Sequence, residues 1–306
     1  MSKLVVFGAT GQQGNAILAT VLNHPVLSTK YSLRGISRDV SKPKAQALAA
    51  KGIEIVEADL NNASSLPAVL HQAHTVVIIT ETIYEADGRD LEFRQGKTVA
   101  DACVAAGVKY IIFSTAVHCN TLWSGGPVDQ FDVKAEIEAY IRTLPLKSSF
   151  IAPGMFMQNF STIMTPHKQD DGAYVIVGVT GPQTNIPVIE AVTDTGAYIV
   201  PLLEDPEEMN GRVIYAGSEV SSFAEMAAAI SKASGKTVKY QQIPGEVYAG
   251  FMKKEMGWKV VAMMKFIDSP GYFGPRTEEK VKESLELVKE KLTSFEEFAA
   301  RSFTAL

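Results

Sequence analysis

The sequence predicts an α/β fold, in which a doubly wound parallel sheet is followed by a smaller C-terminal α/β domain. Three observations support this. Short runs rich in Val, Ile and Phe alternate with longer helical patterns over residues 1–150. A glycine-rich run separates the first strand-like run from the first helical pattern. From about Pro153 the alternation gives way to single strands and isolated helices. We therefore expect domains at 1–152 and 153–306, with some strands and helices crossing between them.

The strand-like runs of the first domain lack clean polar alternation, which is typical of strands covered on both faces. The crossover helices lie between them. Ser64 is a candidate N-cap, and Gly107 is placed to end a helix. The predicted strands are Lys3–Phe7, Tyr31–Ser37, Ile53–Glu57, Thr75–Thr80, Tyr110–Ser114 and Ser148–Ala152. The predicted helices are Asn15–Leu22, Lys44–Lys51, Ser64–His71, Leu91–Ala106 and Val133–Thr143.

The second domain is predicted to contain the strands Tyr174–Val177 and Val213–Ala216. One helix, Ser222–Ala233, ends before a glycine. The pattern over Gly245–Phe266 predicts one long helix. Thr277–Leu292 predicts another, because Val281, Leu285, Val288 and Leu292 form one apolar stripe opposite a Glu/Lys face. Ser294 and Glu297 have the spacing of a capping box for a last short helix.

Composition excludes several classes of protein. The 306 residues contain 29 Lys and Arg against 34 Asp and Glu, so the basic excess typical of direct nucleic-acid binding is missing. Cys103 and Cys119 have no partner at metal-ligand spacing, so we expect no metal site, no disulfide and a reducing compartment. The chain begins without a signal-peptide pattern, and no apolar stretch is long enough for a membrane span. We expect a cytoplasmic protein that enters the nucleus only with a partner.

The strongest motif is the run from Gly8 to Gly14, which predicts a dinucleotide site of the Rossmann type. Glycines there permit a tight turn, a close approach of the backbone to a pyrophosphate and close helix packing. Free N–H groups at the start of the following helix favour a phosphate. The second strand ends in Ser37-Arg38, and an arginine at that place favours NADP over NAD, with Ser37 and Lys42 as helpers. Asp59 after the third strand lies near the adenine or forms a turn.

These motifs resemble those of the NmrA-like family, an atypical branch of the short-chain dehydrogenase/reductase superfamily. The resemblance extends over nearly the whole chain and is closest to the human redox-sensing and fungal nitrogen-repression members. Besides the glycine run and Ser37-Arg38, it rests on Ala58-Asp59-Leu60, Gln95-Gly96-Lys97, Tyr110-Ile111-Ile112-Phe113-Ser114, Phe131–Glu138, Pro153–Phe160, Thr193-Asp194-Thr195-Gly196 and Leu292-Thr293-Ser294-Phe295.

The resemblance implies that NADP(H) is bound in the cleft between the two domains. Human-type members have a neutral amide at the position of Glu81, so the acid at this position is a departure from their pattern. Carried over to this sequence, the pyrophosphate residues are Gly8, Thr10, Gly11, Gln12, Gln13 and Gly14. Arg38 takes the 2′-phosphate, Asp59 and Leu60 flank the adenine, Thr80 and Glu81 border the ribose and nicotinamide side, Lys134 reaches the nicotinamide ribose, and Phe156 to Asn159 close over the ring.

The catalytic tyrosine of the superfamily precedes its lysine by four residues, and none of the ten tyrosines here has that spacing. Gln130 takes that position relative to Lys134, and an amide is no general acid or base at neutral pH. Ser114 matches the catalytic serine, which polarises a carbonyl without delivering a proton; equally, it is a strand-end hydroxyl. The sequence favours the hypothesis that the protein is an NADP(H)-responsive regulator with little or no dehydrogenase turnover. Its partner, by resemblance, is a GATA-type transcription factor.

The alternative hypothesis is an NADPH-dependent reductase. In it, Lys134 is the acid/base, as the resemblance of Phe131-Asp132-Val133-Lys134 to the F-x-x-K pattern of isoflavone-reductase-like relatives implies. We expect the cleft to be lined by Phe131, Phe156, Met155, Met157 and Trp123, which suit an aromatic or quinone-like substrate or are ordinary core. We expect Cys119 to be an ordinary thiol. The sequence leaves the oligomeric state open.

Overall fold

The computed structural model describes the backbone of residues 1–306 and every side chain except that of Lys254. Its centre is a seven-stranded parallel sheet with the order β11-β6-β5-β4-β1-β2-β3. The strands are β1 (Ser2–Phe7), β2 (Tyr31–Ser37), β3 (Glu54–Glu57), β4 (Ala73–Ile78), β5 (Tyr110–Ser114), β6 (Lys147–Pro153), β7 (Met155–Phe156), β8 (His167–Lys168), β9 (Tyr174–Gly178), β10 (Asn185–Ile189), β11 (Val213–Ala216), β12 (Glu219–Ser222) and β13 (Val238–Gln242).

Helices cover both faces of the central sheet because successive strand residues point to opposite faces. The helices are α1 (Gln12–Asn23), α2 (Leu27–Lys30), α3 (Pro43–Ala49), α4 (Leu66–Val69), α5 (Gly88–Ala105), α6 (Cys119–Leu122), α7 (Asp129–Ile141), α8 (Thr195–Glu204), α9 (Phe223–Ser234), α10 (Gly245–Ala249), α11 (Lys254–Asp268), α12 (Thr277–Leu285) and α13 (Phe295–Ser302). In β1, Leu4 and Val6 pack with α1 and α8, whereas Val5 and Phe7 pack with α5 and α7.

Two three-stranded sheets lie outside the central sheet, in the orders β12-β10-β7 and β13-β9-β8. They pack on α9 and α13 through an aromatic core in which the ring centroids of Phe160 and Phe295 are 4.9 Å apart. Phe223 stacks on Tyr240 at 4.5 Å in the same core. Among the described residues, no helix is both long enough and apolar enough to cross a membrane.

The predicted fold class is confirmed, and several local signals are confirmed with it. Strands β2, β5 and β11 have the predicted bounds. Gly107 follows α5 with φ of 73°, the left-handed conformation that favours glycine. Ser294 and Glu297 form the predicted capping box, in which the serine hydroxyl accepts from the Glu297 N–H.

Two helix predictions were wrong, and one strand from the second half of the chain joins the central sheet. Strand β11, predicted for the second domain, pairs with β6 and extends the central sheet at an edge that would otherwise be open. The segment Gly245–Phe266, predicted as one helix, forms the two helices α10 and α11. The two helices pack so closely that a Cβ on Gly257 would lie 2.5 Å from the Ala249 carbonyl oxygen. Helix α12 ends at Leu285.

The break after α12 divides the predicted stripe between two cores. Val281 and Leu285 pack with the aromatic core, whereas Val288 and Leu292 pack against the face of the central sheet that α1 and α8 cover. A straight helix could not reach both. Ser64 is also not an N-cap: the Asn62 side chain accepts the Ser64 N–H at 3.2 Å and begins a short 3₁₀ turn, Ala63–Ser65, ahead of α4.

Candidate functional site

The glycine loop after β1 has the shape that a pyrophosphate requires. Gly8 has φ of 77°, and its carbonyl accepts the Gly11 N–H at 3.0 Å, which closes the turn. A Cβ on Gly14 would lie 2.2 Å from the Gly8 carbonyl oxygen, so only glycine allows α1 to start this close to the loop. Among the described side chains, none caps the N-terminus of α1. Its free N–H groups, together with Gly8, Thr10, Gly11, Gln12 and Gln13, fit a dinucleotide phosphate.

Arg38 leaves the end of β2 into solvent, with 72% of its side chain exposed, and its Nη2 lies 3.2 Å from Glu81 Oε2. Strand β1 separates β2 from β4, so this ion pair reaches across the strand that leads into the glycine loop. The Glu81 carboxylate therefore lies at the Arg38 end of the site.

Ser37, Asp59 and Leu60 make mainly structural contacts. The Ser37 hydroxyl donates to the Asp39 carbonyl at 2.9 Å, and Lys42 lies 3.7 Å from the Asp39 carboxylate. Asp59 accepts the Asn61 N–H at 2.9 Å, which is the turn that the sequence left open as an alternative. Leu60 is half-buried against the apolar core.

Lys134 lies on α7 and is held by a buried carboxylate. Its Nζ forms an ion pair with Glu92 of α5 and donates to the Thr80 hydroxyl at 3.1 Å. The Thr80 hydroxyl in turn donates to Glu92 at 2.7 Å. Only 1% of the Glu92 side chain is exposed, so the ammonium of Lys134 is the charge that compensates it. Strand β4 ends at Ile78, two residues earlier than predicted, which places Thr80 in the loop facing α7.

Sequence reasoning missed Glu92, although a signal was present. Glu92 lies on the same face of α5 as Gly96, Val99 and Cys103, all of which are buried. A single acid on the buried face of a helix needs a partner. That partner, Lys134, is 42 residues away, and only the fold brings the two together.

Ser114 and Gln130 lie on the same side of the site. The Ser114 hydroxyl donates to Gln13 Oε1 at 3.1 Å, which joins the end of β5 to the first turn of α1. The Gln130 amide donates to the Lys259 carbonyl at 3.1 Å, and its oxygen is buried without a hydrogen-bond partner among the described residues. The Gln130 side chain is thus anchored to the Lys259 carbonyl at the edge of the site.

A cavity of about 1080 Å³ opens from Thr80, Ser114 and Lys134 toward the second half of the chain. Its walls are mostly apolar, and they include six methionines and eight aromatic residues. Methionine side chains adapt to ligands of different shapes. The methionines are Met155, Met164, Met252, Met256, Met263 and Met264, and the aromatic residues are Tyr84, Phe131, Phe156, Phe223, Tyr248, Phe251, Tyr272 and Phe273.

Comparison with known proteins connects this site to a family. Residues 1–299 match the family model described as "NmrA-like family". The chain belongs to the NmrA-like family. The glycine loop and the Phe131–Glu138 segment, on which the resemblance was founded, are both among the matched residues, and the predicted membership is confirmed.

Members of the NmrA-like family with different named roles are similar to this chain. The NmrA-like family domain-containing oxidoreductase ptmS of Penicillium ochrochloron is 29% identical over 257 residues, 79% of this chain and 76% of its own. The nitrogen metabolite repression protein nmrA of Emericella nidulans is 26% identical over 249 residues, 79% of this chain and 68% of its own.

Solved structures show the same fold. NmrA, a negative transcriptional regulator solved with NADP, superposes with a TM-score of 0.81 at 22% identity and covers 99% of this chain and 95% of its own. The Citrobacter sp. triphenylmethane reductase complexed with NADP(H) has a TM-score of 0.79 at 22% identity, with 98% and 99% coverage. The Escherichia coli NADPH-dependent quinone oxidoreductase complexed with NADPH has a TM-score of 0.77 at 21% identity, with 97% and 99% coverage.

Not every predicted cleft residue of this NmrA-like chain lines the cavity. Phe131, Met155, Phe156 and Asn159 do. Met157 is fully buried in the aromatic core instead, because the 3₁₀ turn that it begins directs it inward. Trp123 packs edge-on against Phe266, with ring centroids 6.0 Å apart. Burial raises the pKa of the Cys119 thiol, in line with the expectation of an ordinary thiol.

Tyr84 was missed because nothing in the local sequence marks it. It follows Thr80 on the loop after β4 and lines the cavity beside Gln130. Burial raises the pKa of Tyr84, and the negative charge of Glu92 adds to that effect. The phenol therefore stays protonated at neutral pH and can donate a hydrogen bond into the cavity.

Proposed function

We propose that this protein binds a nicotinamide dinucleotide along the glycine loop and reduces a large apolar acceptor held in the cavity. The observation that carries the proposal is the continuity of the two sites. The residues expected at the nicotinamide end, Thr80, Ser114 and Lys134, form one wall of a cavity of about 1080 Å³. This volume is at the upper end of the range for small-molecule sites.

The cofactor supplies a hydride when bound, and the protein supplies position and hydrogen bonds. Lys134 pairs with Glu92 and lines the cavity next to Thr80, so its Nζ is positioned to donate a hydrogen bond to a bound molecule. Arg38 at the end of β2 favours NADP(H), since a guanidinium pairs well with a 2′-phosphate.

The acceptor class follows from what the site lacks at Gln130. The amide cannot deliver a proton, and the Tyr84 phenol in the cavity wall is a weak acid because burial raises its pKa, so the site suits acceptors that remain stable after taking a hydride alone. Quinones and extended aromatic enones meet this requirement, because their reduced anions are delocalised and take a proton from water afterwards. Apolar walls and adaptable methionines also suit such molecules.

A quinone series tests the proposal. The absorbance of pre-bound NADPH at 340 nm is followed in single turnovers with benzoquinones that share one ring and carry either a methyl or a decyl chain. The decyl compound is expected to react at lower concentration, because its chain occupies the apolar cavity. If the rate depended in the same way on the concentration of the methyl and of the decyl compound, binding of the quinone in the cavity would be contradicted.

Two exposed aromatic residues provide matched variants. Phe251 lines the cavity and is 66% exposed, whereas Trp258 is 47% exposed and does not line it. Phe251→Ala is expected to weaken the apparent affinity for the decyl quinone several-fold, and Trp258→Ala to leave it unchanged. Equal effects of the two substitutions would indicate a general surface change rather than loss of a cavity wall.

The second candidate function is the regulator, in which bound NADP(H) sets affinity for a protein partner of the GATA transcription-factor type. Gln130 favours it, because the amide takes the place of the superfamily's acid. Tight NADPH binding without discharge by any quinone, aldehyde or enone in the panel would support this candidate over the reductase. Its physical requirement is a partner affinity that differs between oxidised and reduced cofactor.

A further inference from the structure

We propose that Glu81 is a specificity-determining residue that works against the 2′-phosphate of NADP(H), so that this chain accepts NAD(H) more readily than its Arg38 alone would allow. The inference rests on the proposed dinucleotide binding. It concerns which dinucleotide the site prefers rather than what reaction follows.

The geometry places the two residues in direct competition. Arg38 Nη2 lies 3.2 Å from Glu81 Oε2, although 43 residues separate them. Both side chains are more than 70% exposed, at 72% and 73%, so a dissolved ligand can reach the pair. A phosphate that pairs with Arg38 must therefore displace the Glu81 carboxylate or lie close beside it.

Nearby cations do not relieve this competition. Lys42, the other basic residue expected to help, lies 3.7 Å from the Asp39 carboxylate. Asp39 also accepts from the Ser41 N–H at 2.9 Å, which keeps its carboxylate within the same turn. The end of β2 thus presents Arg38 opposed by Glu81, and Lys42 opposed by Asp39.

The size of the effect follows from charge. A 2′-phosphate carries close to two negative charges. At a separation of several ångströms in water, the repulsion between these charges and the Glu81 carboxylate weakens NADP(H) binding roughly tenfold. NAD(H) has a hydroxyl at that position and is not repelled. A carboxylate can also accept a hydrogen bond from a ribose 2′-hydroxyl, the role that an acid at the end of the second strand has in NAD-specific sites.

The test is calorimetric titration of the 306-residue chain with NADP⁺ and NAD⁺ at low ionic strength. Glu81→Gln is expected to tighten NADP⁺ binding about tenfold while NAD⁺ binding stays the same or weakens. The gain should shrink at high salt, since these charges are exposed. Glu85→Gln is the matched control: it removes the same charge from the same exposed loop, and among the described residues Arg38 pairs with Glu81 and not with Glu85, so neither affinity should shift beyond twofold.

Three results would overturn the inference. An unchanged ratio of the two affinities in Glu81→Gln would show that Glu81 does not act on the 2′-phosphate. An equal gain for both dinucleotides would show that the Arg38–Glu81 pair merely closes the groove. An equal response to Glu85→Gln would show a general effect of net charge. Failure of the wild-type protein to bind either dinucleotide would instead refute the proposed function, so the two failures are distinguishable.

Discussion

Replacing Lys134 should destabilise the protein through Glu92. In Lys134→Met the Glu92 carboxylate, 1% exposed, keeps only the Thr80 hydroxyl as a partner. Removing one partner of a buried ion pair costs about 3–5 kcal/mol. The Lys134 side chain is 16% exposed, so solvent can reach this site in part and the lower end, about 3 kcal/mol, is expected. For a chain of this length that lowers Tm by roughly 5 °C.

A double-mutant cycle isolates the pair. Glu92→Gln alone should lower the free energy of unfolding by about 1–2 kcal/mol, because the Lys134 ammonium keeps its hydrogen bonds to the Thr80 oxygens and its contact with solvent. Lys134→Met/Glu92→Gln should be more stable than the sum of the single changes predicts, by about 2 kcal/mol, since no buried charge is left. Urea unfolding of the four proteins measures these values.

A surface pair gives the control. Lys97 pairs with Asp101 on α5 with both side chains about half exposed, and Lys97→Met should cost less than about 1 kcal/mol. The account of Glu92 as a buried carboxylate held by Lys134 would be refuted if Lys134→Met were as stable as the wild type. It would also be refuted if the stability changes of the two single substitutions added up to that of the double substitution. If the cycle behaves as expected, activity of a Lys134 variant must be compared in the Glu92→Gln background, where a loss of rate is not a loss of fold.

Three further predictions concern the cofactor site and the C-terminal helix. Gly14→Ala should abolish dinucleotide binding in a fluorescence titration, because its Cβ would lie 2.2 Å from the Gly8 carbonyl; near-native affinity would contradict the loop geometry. Arg38→Ala should weaken NADPH binding roughly tenfold to a hundredfold and leave NADH nearly unchanged, whereas equal losses would refute the 2′-phosphate role. The Lys291 ammonium, with help from a backbone N–H, lowers the pKa of Glu297 to about 2. The stability that ionised Glu297 contributes to the folded protein is therefore fully present above its ordinary pKa of 4.5 and is lost as the pH falls toward 2. Glu297→Gln should accordingly reduce the loss of unfolding free energy between pH 4.5 and pH 2 in a pH–stability curve.

Local signals explain why the nucleotide half was predictable. Gly14 is required by its close approach to Gly8, six residues earlier, and Gly8 closes its turn by accepting from the Gly11 N–H, so both requirements are visible in the sequence. The capping box at Ser294 is equally local. The strands of the central sheet are buried on both faces, and continuous apolar runs predict such strands well.

The rest of the site depends on contacts between distant segments. Glu92 and Lys134, or Arg38 and Glu81, meet only after the sheet has formed, and no spacing rule connects them. Strand β11 joins the central sheet because β6 offers it an edge, which its own four residues do not encode. The division of the Gly245–Phe266 segment likewise follows from packing of Gly257 on Ala249.

The central claim is that the cavity beside Lys134 holds an acceptor that takes a hydride directly from the bound nicotinamide. Single turnovers with NADPH deuterated at C4 and a bulky aromatic enone, analysed by mass spectrometry, test it most directly. The account predicts one deuterium at carbon in the reduced product, at a rate that falls when the cavity wall is truncated in Phe251→Ala. Reduced cofactor that stays bound and undischarged by every acceptor that enters the cavity would contradict it.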